Sequence, residues 1–206
     1  ENFRFIKEAL YNSNFIPSAN NILSIKRFNG TINSDSYLFN GTADCFEIPA
    51  SIAPQLAGSD FTIEFWLYPT NLTTTFQTIL YQAQGDPTLA TSGGECLDIS
   101  IRSDIFWLSF NNCTMHVVTD MTIYHNQWTH FAITYNNNNN GLTSNAGNIY
   151  INGINQTLGF NAYDDDSMVN GTTAYGKMFI GRAPNVALQY LNSELKHLRV
   201  WNNVRT

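Results

Sequence analysis

The sequence predicts an all-β fold, a two-sheet antiparallel sandwich, on three observations. Apolar and polar residues alternate at period two in several short runs, as they do on a strand with one covered face. The clearest run, Phe61-Thr62-Ile63-Glu64-Phe65-Trp66-Leu67-Tyr68, sets Phe61, Ile63, Phe65 and Leu67 on one face and stops at Pro69. Turn signals separate the runs. The strongest is Asn152-Gly153, between Ile149-Tyr150-Ile151 and Ile154-Asn155-Gln156-Thr157-Leu158, because Asn-Gly accepts the positive φ angles of a type I′ hairpin turn. The runs recur at regular spacing over 206 residues without an internal repeat or a linker, the pattern of one sandwich domain spanning 1–206.

Residues 1–35 read as an irregular lead-in and edge strand, where Phe3, Ile6 and Leu10 suit a short helical stripe or an extended segment. Regular strand grammar starts at Tyr37-Leu38-Phe39, which meets the turn Asn40-Gly41, and continues with Cys45-Phe46-Glu47-Ile48 up to Pro49. The Phe61 run follows, then Gln77-Thr78-Ile79-Leu80-Tyr81 and a Gly93-Gly94 loop. Leu97-Asp98-Ile99-Ser100-Ile101 and Ile105-Phe106-Trp107-Leu108-Ser109-Phe110 then form a hairpin around Arg102-Ser103-Asp104. Val117-Val118 and Ile123 suggest a further short strand or edge. Asn126 to Tyr135 is a strand, Asn136 to Asn140 a polar loop, and Gly147 to Ile151 the first arm of the Asn152-Gly153 hairpin. Lys177 to Arg182 and Leu195 to Trp201 close the chain as strands.

Several of these strings carry a resemblance. Trp128-Thr129-His130-Phe131-Ala132-Ile133-Thr134-Tyr135, followed by Ile149-Tyr150-Ile151-Asn152-Gly153, resembles the W-T-H-x-A-x-T-Y … I-Y-I-N-G signature of laminin G-like, concanavalin A-like lectin/glucanase modules. Phe39-Asn40-Gly41 through Phe46-Glu47-Ile48-Pro49, Phe61 to Trp66, Phe179-Ile180-Gly181-Arg182 and Tyr190 through Asn202 resemble other segments of that family, in the same order. The resemblance covers 37–206. It implies a jelly-roll sandwich and an extracellular role in adhesion, carbohydrate recognition or assembly, and fold alone does not choose among those roles. The chain departs from the glucanases of the fold, which carry E-x-D-x-x-E on one strand so that alternation points the carboxylates into one cleft; here Glu95 to Asp98 has the wrong spacing. It departs from pentraxin-like members too. Glu64 and Ala132 stand at their disulfide positions, and Arg182-Ala183-Pro184 replaces their acidic calcium loop.

A net charge of −6 and a pI near 5.0 argue against nucleic acid and anionic membranes as partners, since either favours a basic patch. No apolar stretch approaches a membrane span, so no membrane insertion is expected. The start at Glu1, without a leader-like segment, suggests a mature form or an excised domain. If Arg102 faces Trp107 in the hairpin, Cys96 faces Cys113, and directly opposed residues of an antiparallel pair lie within reach of a disulfide. Two buried thiols are the alternative, and Cys45 is left over. Six N-glycosylation sequons occur, at Asn29, Asn40, Asn71, Asn112, Asn155 and Asn170. In a chain this rich in asparagine the number is close to chance, but four fall at turns or loops. With the disulfide they point to a secreted protein or an extracellular surface.

The candidate metal site is the loop Asp164-Asp165-Asp166, with Asn161 and Ser167 nearby, since calcium takes six to eight oxygen ligands; a solvated acidic loop is the competing reading. Asp44 and Glu47 read as surface residues. Cys113 and His116 lack the further ligands of a zinc site, and His125 and His130 read as structural. Trp66, Trp128 and Trp201 read as sheet-face or core packing. Trp107 and Tyr190 are the candidate ligand-binding residues, provided their rings are exposed for a sugar to stack on. The expected function is a non-catalytic binding or adhesion module of a surface or secreted glycoprotein, binding carbohydrate or extracellular protein, with calcium the one cofactor suggested. A self-assembling structural subunit of an extracellular polymer is the alternative, and a glycan-active hydrolase comes third.

Overall fold

Alternation sorts the side chains as the sequence requires. On the strand Phe61–Pro69, Phe61, Ile63, Phe65 and Leu67 are fully buried, while Glu64, Trp66 and Tyr68 are part-exposed on the other face. The computed structural model describes residues 3–4, 31–33, 35–50, 53–54, 56, 59–70, 76–84, 96–110, 113–136, 147–162, 175–184 and 189–205. Among them the strands are β1 (Phe3–Arg4), β2 (Thr31–Ile32), β3 (Tyr37–Asn40), β4 (Phe46–Ile48), β5 (Phe61–Pro69), β6 (Gln77–Gln84), β7 (Cys96–Arg102), β8 (Ile105–Phe110), β9 (Cys113–Val117), β10 (Thr129–Tyr135), β11 (Gly147–Ile151), β12 (Ile154–Asn155), β13 (Leu158–Ala162), β14 (Tyr175–Ile180) and β15 (Asn192–Trp201). They form two antiparallel sheets. The first runs β12-β11-β10-β5-β15-β3-β2, with β1 also paired to β15, and the second runs β13-β9-β8-β7-β6-β14-β4.

The sheets bury one apolar core between them. Leu97, Ile99 and Ile101 of β7, with Phe106 and Leu108 of β8, meet Ile63, Phe65, Phe131 and Ile133 from the first sheet. Three phenylalanines bridge the layers: the Phe106 ring stacks on Phe131 at 5.0 Å, and Phe131 stacks on Phe65 at 5.5 Å. The expected hairpin turn is present, with Asn152 at φ 50° and Gly153 at φ 78°. Asn152 also accepts a hydrogen bond from the His130 backbone N–H through Oδ1, at 3.0 Å.

Four sequence expectations need correction. The run Ile154 to Leu158 is not one strand: β12 pairs with β11 in the first sheet, whereas β13 pairs with β9 in the second. The chain crosses between sheets at Gln156-Thr157, where the Gln156 N–H bonds the Ile149 carbonyl and the Val118 N–H bonds the Thr157 carbonyl. Near Ile123 the chain forms a 3-10 turn, Met121–Tyr124, because Asp120 caps it by accepting from the Thr122 N–H at 2.8 Å. Asp44 is buried, not on the surface, and its Oδ2 accepts from the Asn40 N–H at 3.0 Å.

The fourth correction concerns the β7–β8 hairpin. Its turn is the two residues Ser103-Asp104, at φ 47° and 63°, so Arg102 faces Ile105 and not Trp107. Aspartate tolerates that left-handed backbone better than most residues. The pairing slides by two residues, which keeps every side chain on its expected face but removes the reason for opposing Cys96 and Cys113. Cys113 instead pairs with Phe110 across the β8–β9 hairpin. Strand β8 therefore lies between the backbones of Cys96 and Cys113. Their side chains lie outside the described residues.

Candidate functional site

The second sheet sends its alternate residues outward, and on β7 these are Asp98, Ser100 and Arg102. β8 adds Trp107 and Ser109, and β9 adds His116, directly opposite Trp107. The Arg102 guanidinium ties this row together. One terminal nitrogen donates to Asp98 Oδ2 at 2.8 Å and to Ser109 Oγ at 3.0 Å, and Nε donates to Ser100 Oγ at 3.1 Å. Ser100 Oγ in turn donates to Asp98 Oδ2 at 3.3 Å.

Flat groups stack along the sheet beside this network. Arg102 lies over the Phe76 ring at 4.3 Å and over Trp107 at 5.2 Å, and Trp107 stacks on His116 at 4.6 Å. His116 fits because its neighbour on β13 is Gly159: a Cβ there would lie 2.4 Å from His116 Nε2. Sequence and packing agree here, since only glycine leaves room for the ring.

The row is largely withdrawn from water. Asp98 is 6% exposed and Ser100 is fully buried, while Trp107 and His116 are part-exposed. Burial pushes the Asp98 carboxyl up from its ordinary value, and the Arg102 guanidinium and Ser100 hydroxyl pull against it. Asp98 Oδ1, Trp107 Nε1, His116 Nδ1 and the hydroxyl of Thr78, opposite Ser100 on β6, are buried without a protein partner. Buried polar atoms are almost always paired, so four orphans on one face call for an explanation. Together they offer a charge-balanced strip of donors and acceptors beside aromatic edges.

Of the two ligand-binding candidates, Trp107 stands at the centre of this row, but Arg102 and His116 cover its ring from the strands on either side. It is therefore not the open stacking platform the sequence suggested. Tyr190 bridges to Arg182, and its neighbour Gln189 accepts from the Thr78 N–H. That puts it three strand spacings, roughly 14 Å, from Trp107, so the two do not combine. Asp98, Ser100 and Arg102 escaped notice in the sequence. Their signal is the polar half of the alternation whose apolar half is Leu97, Ile99 and Ile101.

The outer face of the first sheet holds a second cluster. Glu64 accepts from Arg199 at 2.6 Å and lies 3.6 Å from His130 Nε2, and His130 packs on Trp66 at 5.2 Å. Lys196 sits 4.1 Å over the Trp128 ring. Among the described residues no three His, Cys, Asp or Glu side chains gather as metal ligands. The candidate calcium loop Asp164-Asp165-Asp166 lies outside them, as do the sequon residues Asn29, Asn71, Asn112 and Asn170. Asn40 and Asn155 are both exposed. Asn40 Oδ1 accepts from the N–H groups of Thr42 and Ala43, and Asn155 donates to Asn148 Oδ1.

Comparison with known proteins bears on this geometry. The family model described as concanavalin A-like lectin/glucanases superfamily matches residues 40–206. No curated protein sequence matches the chain. Among solved structures, a Trypanosoma rangeli sialidase in complex with 2,3-difluorosialic acid is similar at 15% identity and TM-score 0.59, over 86% of this chain and 27% of the sialidase. The receptor binding domain of botulinum neurotoxin D is similar at 13% identity and TM-score 0.57, over 87% of this chain and 44% of that one. The Ruminococcus gnavus IT-sialidase CBM40, bound to α2,3-sialyllactose, is similar at 13% identity and TM-score 0.54, over 73% and 79%. The chain thus spans about a quarter of the sialidase and under half of the toxin domain. At these identities the likeness is one of fold.

Proposed function

The chain belongs to the concanavalin A-like lectin/glucanases superfamily, and from this premise we propose that it is a non-catalytic carbohydrate-binding module of an extracellular or cell-surface glycoprotein. The outer face of the second sheet is its binding surface. One observation carries the reading: Asp98 Oδ1, Trp107 Nε1 and His116 Nδ1 lie unpartnered on that face beside a part-exposed aromatic edge. A sugar presents hydroxyls and an apolar ring face together, and the similar CBM40 is bound to α2,3-sialyllactose.

The carboxylates of the face among the described residues support a non-catalytic role. Asp98 and Glu47 stand at the two ends of the row Asp98–Tyr81–Phe179–Glu47. Three strand spacings, roughly 14 Å, exceed the separation of about 5 to 9.5 Å that glycoside hydrolysis uses. Both acids are also committed, Asp98 to Arg102 and Glu47 to Lys177 at 2.8 Å.

A glycan array probed with the purified chain tests the proposal. Binding to some glycans is expected, and Trp107→Ala is expected to weaken it about tenfold or more, because the change also frees Arg102 and His116 from their stack. An array without any binding would refute the reading, and turnover of a bound glycan would restore the hydrolase. The alternative, an assembly domain, draws on the part-exposed Trp66, Tyr68, Trp128 and Tyr150 of the first sheet. Sedimentation showing concentration-dependent association, lost on Trp66→Ala, would favour it.

A further inference from the structure

Asp98 Oδ2 takes two donors, Arg102 and Ser100, whereas Oδ1 takes none, although the side chain is only 9% exposed. Trp107 Nε1, a diagonal cross-strand neighbour, is a donor without an acceptor. We propose that this pair of atoms receives two adjacent hydroxyls of an uncharged sugar and does not receive the carboxylate of an acidic one. The inference rests on the carbohydrate-binding reading above.

Complementary hydrogen-bond roles separate the two ligands. A hydroxyl both donates and accepts, so one hydroxyl can donate to Asp98 Oδ1 while its neighbour accepts from Trp107 Nε1. A carboxylate only accepts. It leaves Oδ1 unpaired and sets a second negative charge against Asp98 in a weakly hydrated setting, where like charges repel most. Arg102 offsets this only in part: its charge is balanced by Asp98, its Nε and one terminal nitrogen serve Ser100, Ser109 and Asp98, and the rings of Phe76 and Trp107 flank it. Turning it outward would strand a buried carboxylate, which costs far more than an exposed pair returns.

Arg182 is the competing anchor for an acid. It forms no ion pair among the described residues, and its guanidinium lies 5.3 Å over Phe179. Phe179 is two strand spacings from Asp98, roughly 10 Å. A carboxylate drawn to Arg182 would bind away from the Asp98 cluster.

The experiment is a titration of the purified chain with matched pairs of oligosaccharides, each neutral glycan against its α2,3-sialylated or uronic-acid counterpart. Neutral members are expected to bind about tenfold more tightly than their acidic partners, the scale of one charge-assisted hydrogen bond. Asp98→Asn is expected to erase that preference, and Arg182→Ala to leave it unchanged. Tighter binding of the acidic members, lost in Arg182→Ala, would overturn the inference while leaving carbohydrate binding intact. Failure of both classes to bind the parent chain would overturn the two together. The preference is read on the parent, so a variant that fails to fold does not blunt the test.

Discussion

Asp98 sits in an environment far from that of a surface carboxylate. Its raised pKa, caused first by burial and opposed by Arg102, ties stability to pH in a defined direction. Below the ordinary value of 3.8 the side chain is protonated in both folded and unfolded chains and adds no slope. As pH rises through that value the unfolded chain releases its proton first, so the folded state loses ground until its own raised pKa is passed. Asp98→Asn removes this titration. Arg102 stays charged throughout, so the loss of its partner adds only a constant offset. The parent's melting temperature relative to Asp98→Asn is therefore expected to fall as pH is raised from about 3 to about 7. A difference that is flat, or that widens in the parent's favour, would show that Arg102 outweighs burial.

At the scale of the element, the β11–β12 hairpin depends on two residues in left-handed backbone. Gly153 has φ 78° and open space where a Cβ would sit, so a side chain there meets backbone strain without a clash. Gly153→Ala is expected to lower stability by about 1–2 kcal/mol, the cost of that conformation for an L-residue, read from denaturant unfolding with an unchanged m-value. Gly159 is the opposite case. Its substitution would drive a Cβ into the His116 ring, so the effect there is steric and falls on the candidate site. Two glycines close in sequence thus serve one turn and one ring.

Across the whole molecule, stability rests on contact between the sheets. Phe106 is the ring from the second sheet that enters the first, lying between Phe65 and Phe131 at 6.4 Å and 5.0 Å. Phe106→Ala should leave a cavity at the centre of the sandwich and cost about 3–5 kcal/mol, with a fall of about 2–4 °C in melting temperature for each kcal/mol in a chain of this size. A smaller loss in thermal unfolding would mean that the sheets close over the gap. Trp107 stands next to Phe106 in sequence and points the other way, so Trp107→Ala, which opens no core cavity, should cost much less.

The amino-acid sequence by itself determined which residues face inward. The Phe61 run, the polar-apolar beat of β7 and the Asn152-Gly153 turn each follow from side-chain period and backbone preference, which are local properties. It also carried the family strings that belong to the jelly-roll. Register and crossing points were not legible in the same way. A hairpin closing on Ser103-Asp104 and one closing two residues wider keep the same faces, so alternation could not choose between them, and the pairing of Cys113 with Phe110 emerged only once three strands were laid side by side. The split of Ile154 to Ala162 between two sheets depended on which edge, β11 or β9, lay nearest each half. The candidate site was hidden for the same reason. Asp98, Ser100, Arg102, Ser109, Trp107 and His116 come from three strands, and no spacing along the chain announces that one guanidinium will tie three of them together. Tertiary structure decided that, because hydrogen bonds between strands join residues the sequence keeps apart.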